Sequence, residues 1–203
     1  MYGIAPLATL IMLIATSAAA QNTLPELASR GVNPVERGVF RDVVAPSLED
    51  LSAGADVIVD ARLIKAASYL SKNKMEVHTD YVIQPTRTLA FGGSVPGQMP
   101  GITRLILTLR HGKIEVNGIT VQFDDDNLAP FNSGDRFLLF LKRSGAGNSG
   151  EDRFVPFGDI AGLVRIEAGR TRSMIRSKGD PRDIEGLDVD GFIGRVLVAR
   201  GSK

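Results

Sequence analysis

Between residues 55 and 142 apolar and polar side chains trade places every second residue, in several short runs. A period of two sends successive side chains to opposite faces of an extended strand, so each run buries one face and wets the other. In "DVIVDARLI", Val57, Val59, Ala61 and Leu63 alternate with Ile58, Asp60, Arg62 and Ile64. Met75, Val77, Thr79, Tyr81 and Ile83 alternate in the same way with Glu76, His78, Asp80, Val82 and Gln84, and "ITRLILTLR" puts Leu105, Leu107 and Leu109 on one side. "KIEVNGITVQF" carries Asn117-Gly118 between two such runs, a hairpin signal because both central residues of the tight turn take φ > 0. "DRFLLFLKR", "RFVPFG", "GLVRIEAG" and "RTRSMIR" follow. Seven or eight short strands separated by Gly-containing turns predict a mainly β fold, a closed or partly open antiparallel barrel or a sandwich.

Helical pieces frame these runs. Ser47 and Asp50 have capping-box spacing, which predicts a short helical turn through Leu48 and Leu51 ending near Gly54. In "IEGLDVDGFIGRVLVAR" the period changes: Phe192 and Val196, like Ile193 and Leu197, are four apart. With Asp188 or Asp190 as N-cap, this predicts a terminal helix that docks its apolar side on the β core. The expected organisation is a leader over 1–20, a polar arm or linker over 21–45, a β-barrel domain over 46–178 and a helix-bearing segment over 179–203.

The leader reads as an export signal. An apolar stretch from Leu7 to Ala15 precedes Ala18-Ala19-Ala20, a small-residue cleavage site before Gln21, although no Lys or Arg stands ahead of it. The stretch is short of the roughly 20 residues that span a bilayer, and no later segment is long and apolar enough to do so. The mature chain is therefore expected to be soluble and exported, periplasmic or secreted, with an uncleaved N-terminal anchor as the alternative. The chain contains no cysteine, which excludes a disulfide framework, thiolate chemistry, Cys-ligated zinc and a lipidated N-terminal cysteine. Lys+Arg number 24 against 23 Asp+Glu, so no strong field draws the chain to nucleic acid. Tryptophan is absent and aromatics make up 6%, which argues against a carbohydrate-stacking platform.

Five stretches are candidates for chemistry. Glu76, His78 and Asp80 share one strand face, as a metal or acid/base site would require, yet the opposite face carries the buried pattern. A half-solvated strand accounts for them without function, and only one other histidine, His111, could complete a shell. Asp124, Asp125, Asp126 and Asn127 offer oxygens for a hard cation but lack the D-x-D-x-D-G spacing, and Asx residues after a strand serve a turn's own hydrogen bonds. "FGGSVPGQMPG" lacks the Lys-Ser/Thr of a phosphate loop, and Ser149 in "GNSGE" lacks a nucleophile elbow. In "GRTRSMIRSK", extended geometry puts Arg170, Arg172, Met174, Arg176 and Lys178 on one side. Such a row suits an anionic headgroup, an acidic glycan or an acidic protein, while exposed edge strands carry cations for protection alone.

"SLEDLSAGADVIVDARL", "VHTDYVIQPTRTL", "HGKIEVNGITV" and "GDRFLLFLKR" resemble, in order and spacing, a loose class of uncharacterised exported bacterial proteins. The same order of elements is similar to that of netrin-like modules, the OB-type barrel of metalloproteinase inhibitors. The resemblance covers residues 47 to 142 and implies an OB-like, five-stranded barrel. Inhibition does not carry over, because those inhibitors engage the catalytic metal through an N-terminal cysteine that this chain lacks. The expected function is that of an exported, non-catalytic domain binding a protein of the cell envelope, with no cofactor. One alternative is a metal- or carboxylate-dependent hydrolase using Asp124, Asp125, Asp126, His78 or His111. Another is anionic-lipid or acidic-glycan binding through Arg170, Arg172, Arg176 and Lys178.

Overall fold

The structure is a computed structural model that describes residues 23–31, 35–38, 45–92, 103–146, 152–176 and 182–201. The leader over 1–20 lies outside the described residues. The fold is mainly β, and five of its strands close on themselves. β2 (Val57–Leu70) pairs antiparallel with β3 (Val77–Phe91), and β3 with β4 (Leu105–Leu109). β4 runs parallel to β8 (Asp152–Pro156), and β8 returns antiparallel to β7 (Arg136–Ala146). β7 then pairs with β2 and closes the ring. The circular order β2-β3-β4-β8-β7, with one parallel contact, is that of an OB-type barrel. β9 (Leu163–Glu167) and β10 (Arg170–Ser173) extend the sheet outward from β7. β1 (Val35–Gly38), β5 (Gly112–Val116) and β6 (Ile119–Asp124) form a separate three-stranded sheet.

The period-two pattern sorts residues as expected. Val57, Val59, Ala61 and Leu63 face the barrel interior with Leu105, Leu107, Leu109, Phe137, Leu139 and Leu141. The opposite side of β2, β7 and β9 presents Ile58, Leu138, Phe140 and Val164 to two helices, α2 (Leu48–Gly54) and α3 (Val189–Gly201). The sheet is thus buried on both faces there, which is why "RFLLFL" reads as a continuous apolar run. The Ser47 hydroxyl accepts from Asp50 N–H at 3.0 Å and caps α2. Asp188 caps α3 by accepting from Gly191 N–H. Phe192, Ile193 and Val196 dock as expected, whereas Leu197 lies partly in solvent and Ala199 takes the inner position. The Arg200 guanidinium, from the last turn of α3, donates to the carbonyls of Ser52, Ala53 and Ala55, the free acceptors at the end of α2.

Two features depart from the sequence reading. The stretch over 21–45, expected to be an arm or linker, contains α1 (Leu24–Ser29), held by a full Thr23/Glu26 capping box. Its Leu24 and Ala28 are buried against Val77, Val121 and Phe123. β2 and β3 run for 14 and 15 residues rather than as short pieces, because register shifts near Ile58, Asp60 and Leu63 let one hairpin bend around the barrel. Pro85 is accommodated beside one of those irregularities. The Asn117-Gly118 turn forms as expected, with φ of 53° and 78°, and joins β5 to β6.

Candidate functional site

The mouth of the barrel is where the chain gathers its chemically capable side chains. Leu109 ends β4, Val155 and Pro156 end β8, and the 3-10 turn Asp159–Gly162 sets Ile160 across the opening. The connection from β6 to β7 crosses the same end and lowers Leu128 onto it. Between them lies a cleft of about 340 Å³. Leu109, Leu128, Val155, Pro156 and Ile160 make its floor, and His78, Arg110, His111, Asp125 and Asp159 stand around it. A second groove of about 430 Å³ shares His111, Asp125 and Leu128 and runs on past Tyr81, Phe131, Asp124, Asp126 and Arg176. Barrel mouths are a recurrent place for ligands, since strand ends and loops from distant parts of the chain converge there.

His111 sits where the two grooves meet. Its Nε2 and the Tyr81 hydroxyl share a hydrogen bond of 2.8 Å, and the two rings stack at 5.7 Å. Phe131 packs on Tyr81 at 4.7 Å, completing an aromatic stack over the core residue Phe137. Burial pushes the His111 pKa below its ordinary value, against a smaller upward pull from Asp125 and Asp124. Burial likewise raises the Tyr81 phenol, so that hydroxyl keeps its proton. The backbone here is fixed by a close approach. The His111 carbonyl accepts from the Thr79 hydroxyl at 2.6 Å, and a Cβ at Gly112, where φ is 141°, would fall 2.3 Å from that hydroxyl oxygen.

The depressed His111 pKa makes stability acid-sensitive. An unfolded chain takes up a proton on this imidazole near pH 6.5, while the folded form resists it until lower pH. Its contribution is therefore complete above about pH 6.5 and is lost as pH falls through the folded pKa. The urea midpoint of the wild type is expected to drop more between pH 8 and pH 5 than that of His111→Gln. Equal drops would show that His111 carries none of this sensitivity.

The acidic strand face is less wet than its pattern suggests. Glu76 Oε2 lies 3.0 Å from His78 Nε2, and its other oxygen accepts from Arg110 at 2.8 Å. Asp80 accepts from the Thr108 hydroxyl at 2.7 Å and from Arg153, while the Tyr69 hydroxyl donates to it at 3.1 Å. Glu76, His78 and Asp80 are thus half-buried members of ion-paired networks on the outer barrel surface, not free ligands. Of the opposite side chains, Val77, Thr79, Tyr81 and Ile83 are buried, as expected, whereas Met75 is only half-buried. The Asp124–Asn127 stretch forms the anticipated turn, with Asp125 Oδ1 accepting from Asn127 N–H at 3.1 Å. Asp125 itself is buried, whereas Asp124 and Asp126 are exposed. Among the described residues no three His, Asp or Glu side chains form a group able to hold a metal ion. Ser149 and most of the "FGGSVPGQMPG" stretch lie outside the described residues.

The basic row does not form one face. Strict alternation ends at Ser173: Met174 turns into the core and Ile175 bridges back to Leu128. Arg172 pairs with Glu185 at 2.7 Å, and Arg170 donates to the Gly186 carbonyl. Arg176 is separated from both and lines the acidic groove. Lys178 lies outside the described residues. Edge protection is not needed either, since residues 186–188 cover β10 through hydrogen bonds with Thr171 and a bridge between Arg170 and Asp188.

The aromatic stack, Leu128, Val155 and Ile160 were not singled out from sequence as site residues. Leu128 and Phe131 carried the local signal, two large apolar residues inside a loop otherwise made of Asp, Asn, Ala, Pro, Ser and Gly. No protein-family model and no curated protein matches the chain.

Proposed function

We propose that the chain is an exported, non-catalytic OB-like barrel that binds a protein of the cell envelope through the cleft at the barrel mouth. The observation that carries this reading is the cleft itself, an apolar floor of five side chains inside a charged rim, the make-up of a site that desolvates an anchor residue. The netrin-like order of elements agrees with it. Among the described residues no helix is long and apolar enough to cross a membrane.

A hydrolytic role at the same place receives less support. His78, His111 and Asp125 do line one cleft, as that role requires. However, His111 Nε2 is engaged by Tyr81, and the Thr108 hydroxyl donates to Asp80 rather than to an imidazole. Thr79 donates to a backbone carbonyl. Among the described residues no Ser or Thr hydroxyl is hydrogen-bonded to the His78 or His111 ring. The basic-face reading is weakened by the pairing of Arg172 with Glu185 and the separation of Arg176.

The test is capture from envelope extract by the tagged mature chain and by Val155→Trp, which fills the cleft from a half-buried position. The wild type is expected to retain a partner that the folded variant loses. Equal retention by both, or none by the wild type, would remove the reading. Export is checked separately: the chain recovered outside the cytoplasm is expected to begin at Gln21.

A further inference from the structure

From the backbone that the barrel seam leaves unpaired we infer that the partner is held as an extended segment, hydrogen-bonded to the free edge of β4 with one apolar side chain in the cleft. This rests on the protein-binding reading above and specifies the form of the bound segment. β4 and β8 have five residues each, yet their parallel pairing covers only Ile106↔Arg153 and Leu107↔Phe154. Beyond it the strands part. Thr108, Leu109, Arg110 and His111 then line one wall of the cleft, and Val155 and Pro156 line the other.

The seam opens there because of one residue. The Phe157 N–H donates to the Phe140 carbonyl at 2.8 Å, beside the antiparallel pair Leu141↔Pro156. In that phase Leu141 and Pro156 face each other without exchanging hydrogen bonds, so Pro156, and Phe154 two residues back, turn their backbone groups toward β4. A parallel ladder of the same phase joins the Thr108 N–H to the Phe154 carbonyl, and its next rung needs an N–H at position 156 for the Thr108 carbonyl. Proline has none to give. The Thr108 carbonyl is left facing the cleft, and the Arg110 N–H, two residues along, faces the same way. Among the described residues neither group makes a further backbone hydrogen bond. The Arg110 side chain is turned away to Glu76, at 2.8 Å.

An acceptor and a donor two residues apart on one strand edge match the backbone of one more strand. The incoming residue opposite Leu109 shares its face, because directly paired residues point to the same side of a sheet. Its side chain therefore follows Leu109 into the cleft, where Leu128 and Ile160 meet it. The residues before and after it point outward, on the side of Thr108 and Arg110. The occupant that fits is an extended chain with one leucine-like residue between two polar ones. A helix bonds its own backbone internally and offers nothing to these two groups.

The experiment titrates the isotope-labelled full chain with three capped synthetic peptides and with isopentanol, read by amide shifts and hydrogen exchange. The first peptide carries one leucine between two serines, flanked by glycines. The second has ester links in place of the amides of the leucine and of the serine after it, which removes both donors without adding bulk. The third replaces leucine by glycine. The first is expected to move the Arg110 amide downfield and slow its exchange, with further shifts at Leu109 and Ile160. The ester peptide is expected to bind about three- to tenfold more weakly, the range of one net backbone hydrogen bond. Loss of the leucine is expected to cost at least about tenfold. Isopentanol, a leucine side chain without backbone, is expected to move Leu109 and Ile160 while leaving Arg110 unprotected.

Equal binding of the ester peptide, an unprotected Arg110 amide in the saturated complex, or no binding of the first peptide overturns the inference. Isopentanol binding as tightly as the first peptide would also overturn it, in favour of a small apolar ligand. Failure here is separable from failure of the binding reading. Should the wild type capture an envelope protein that Val155→Trp loses, while the Arg110 amide exchanges as fast in that complex as in the free chain, the module stands and the strand pairing falls.

Discussion

Arg136→Met is expected to lower the unfolding free energy by about 3–5 kcal/mol, the range for removing one partner of a buried ion pair. Asp60 lies on the helix-facing side of β2 and is 2% exposed. Arg136 opens β7 and donates to both its carboxylate oxygens, from Nε at 2.8 Å and from a terminal nitrogen. Hydrogen bonding to Asp60 raises the arginine pKa, and Asp190, at the start of α3, adds to the effect. Methionine fills a similar volume but leaves the carboxylate in the sheet–helix interface without its two donors.

The reverse change, Asp60→Leu, is expected to cost less. The Arg136 side chain is 33% exposed and can turn toward water once its partner is gone. The double variant is expected to recover most of the loss, since a matched apolar pair in such a site is often neutral or better. Urea unfolding of the three variants, at constant denaturant slope, measures the coupling. Additive losses would mean that the pair is not the unit that matters.

How far this arrangement was legible follows from where its causes lie. The inner faces of β2 and β4 were readable because burial on one side leaves its mark every second residue, and Leu105, Leu107 and Leu109 need no partner to reveal it. The Asn117-Gly118 hairpin was readable because positive φ at two adjacent residues restricts composition. The α1 start was written in "TLPE", which has capping-box spacing and a proline in the first turn, but a six-residue helix offers too little periodicity to be noticed. Alternation misled beyond Ser173, because Met174 is drawn into the core by closure of the barrel rather than by its neighbours in sequence.

The cleft was the least legible feature. His78, His111, Asp125 and the pair Val155 and Ile160 come from four separate stretches, and they meet because β4 and β8 run side by side in parallel. That pairing joins strands more than forty residues apart, and no local pattern encodes it. The expected barrel forms, but alternation along its strands says nothing of what fills its mouth. His78 and His111 are half-buried and Asp125 is buried around the apolar floor, while Asp124 and Asp126 stay exposed.

Phe137→Ala joins the fold to this site. Phe137 is fully buried in the barrel interior, with the Arg165 guanidinium 5.6 Å from its ring centre and Phe131 at 5.1 Å. Truncation to alanine is expected to cost about 3–5 kcal/mol, combining lost burial with an unfilled cavity. Phe137→Leu keeps most of the volume and is expected to cost well under half of that. Phe131 rests on Phe137, Tyr81 rests on Phe131, and His111 is hydrogen-bonded to Tyr81. A cavity beneath the first ring therefore loosens the stack that keeps His111 from solvent. In the folded fraction of Phe137→Ala, the imidazole is expected to titrate closer to its ordinary value than in the wild type, as followed by its ring proton shifts. Because the His111 pKa is depressed by burial, partial rehydration moves it upward and never further down. An unchanged His111 titration beside a full stability loss would separate the core from the mouth, and the stack would then be packing alone.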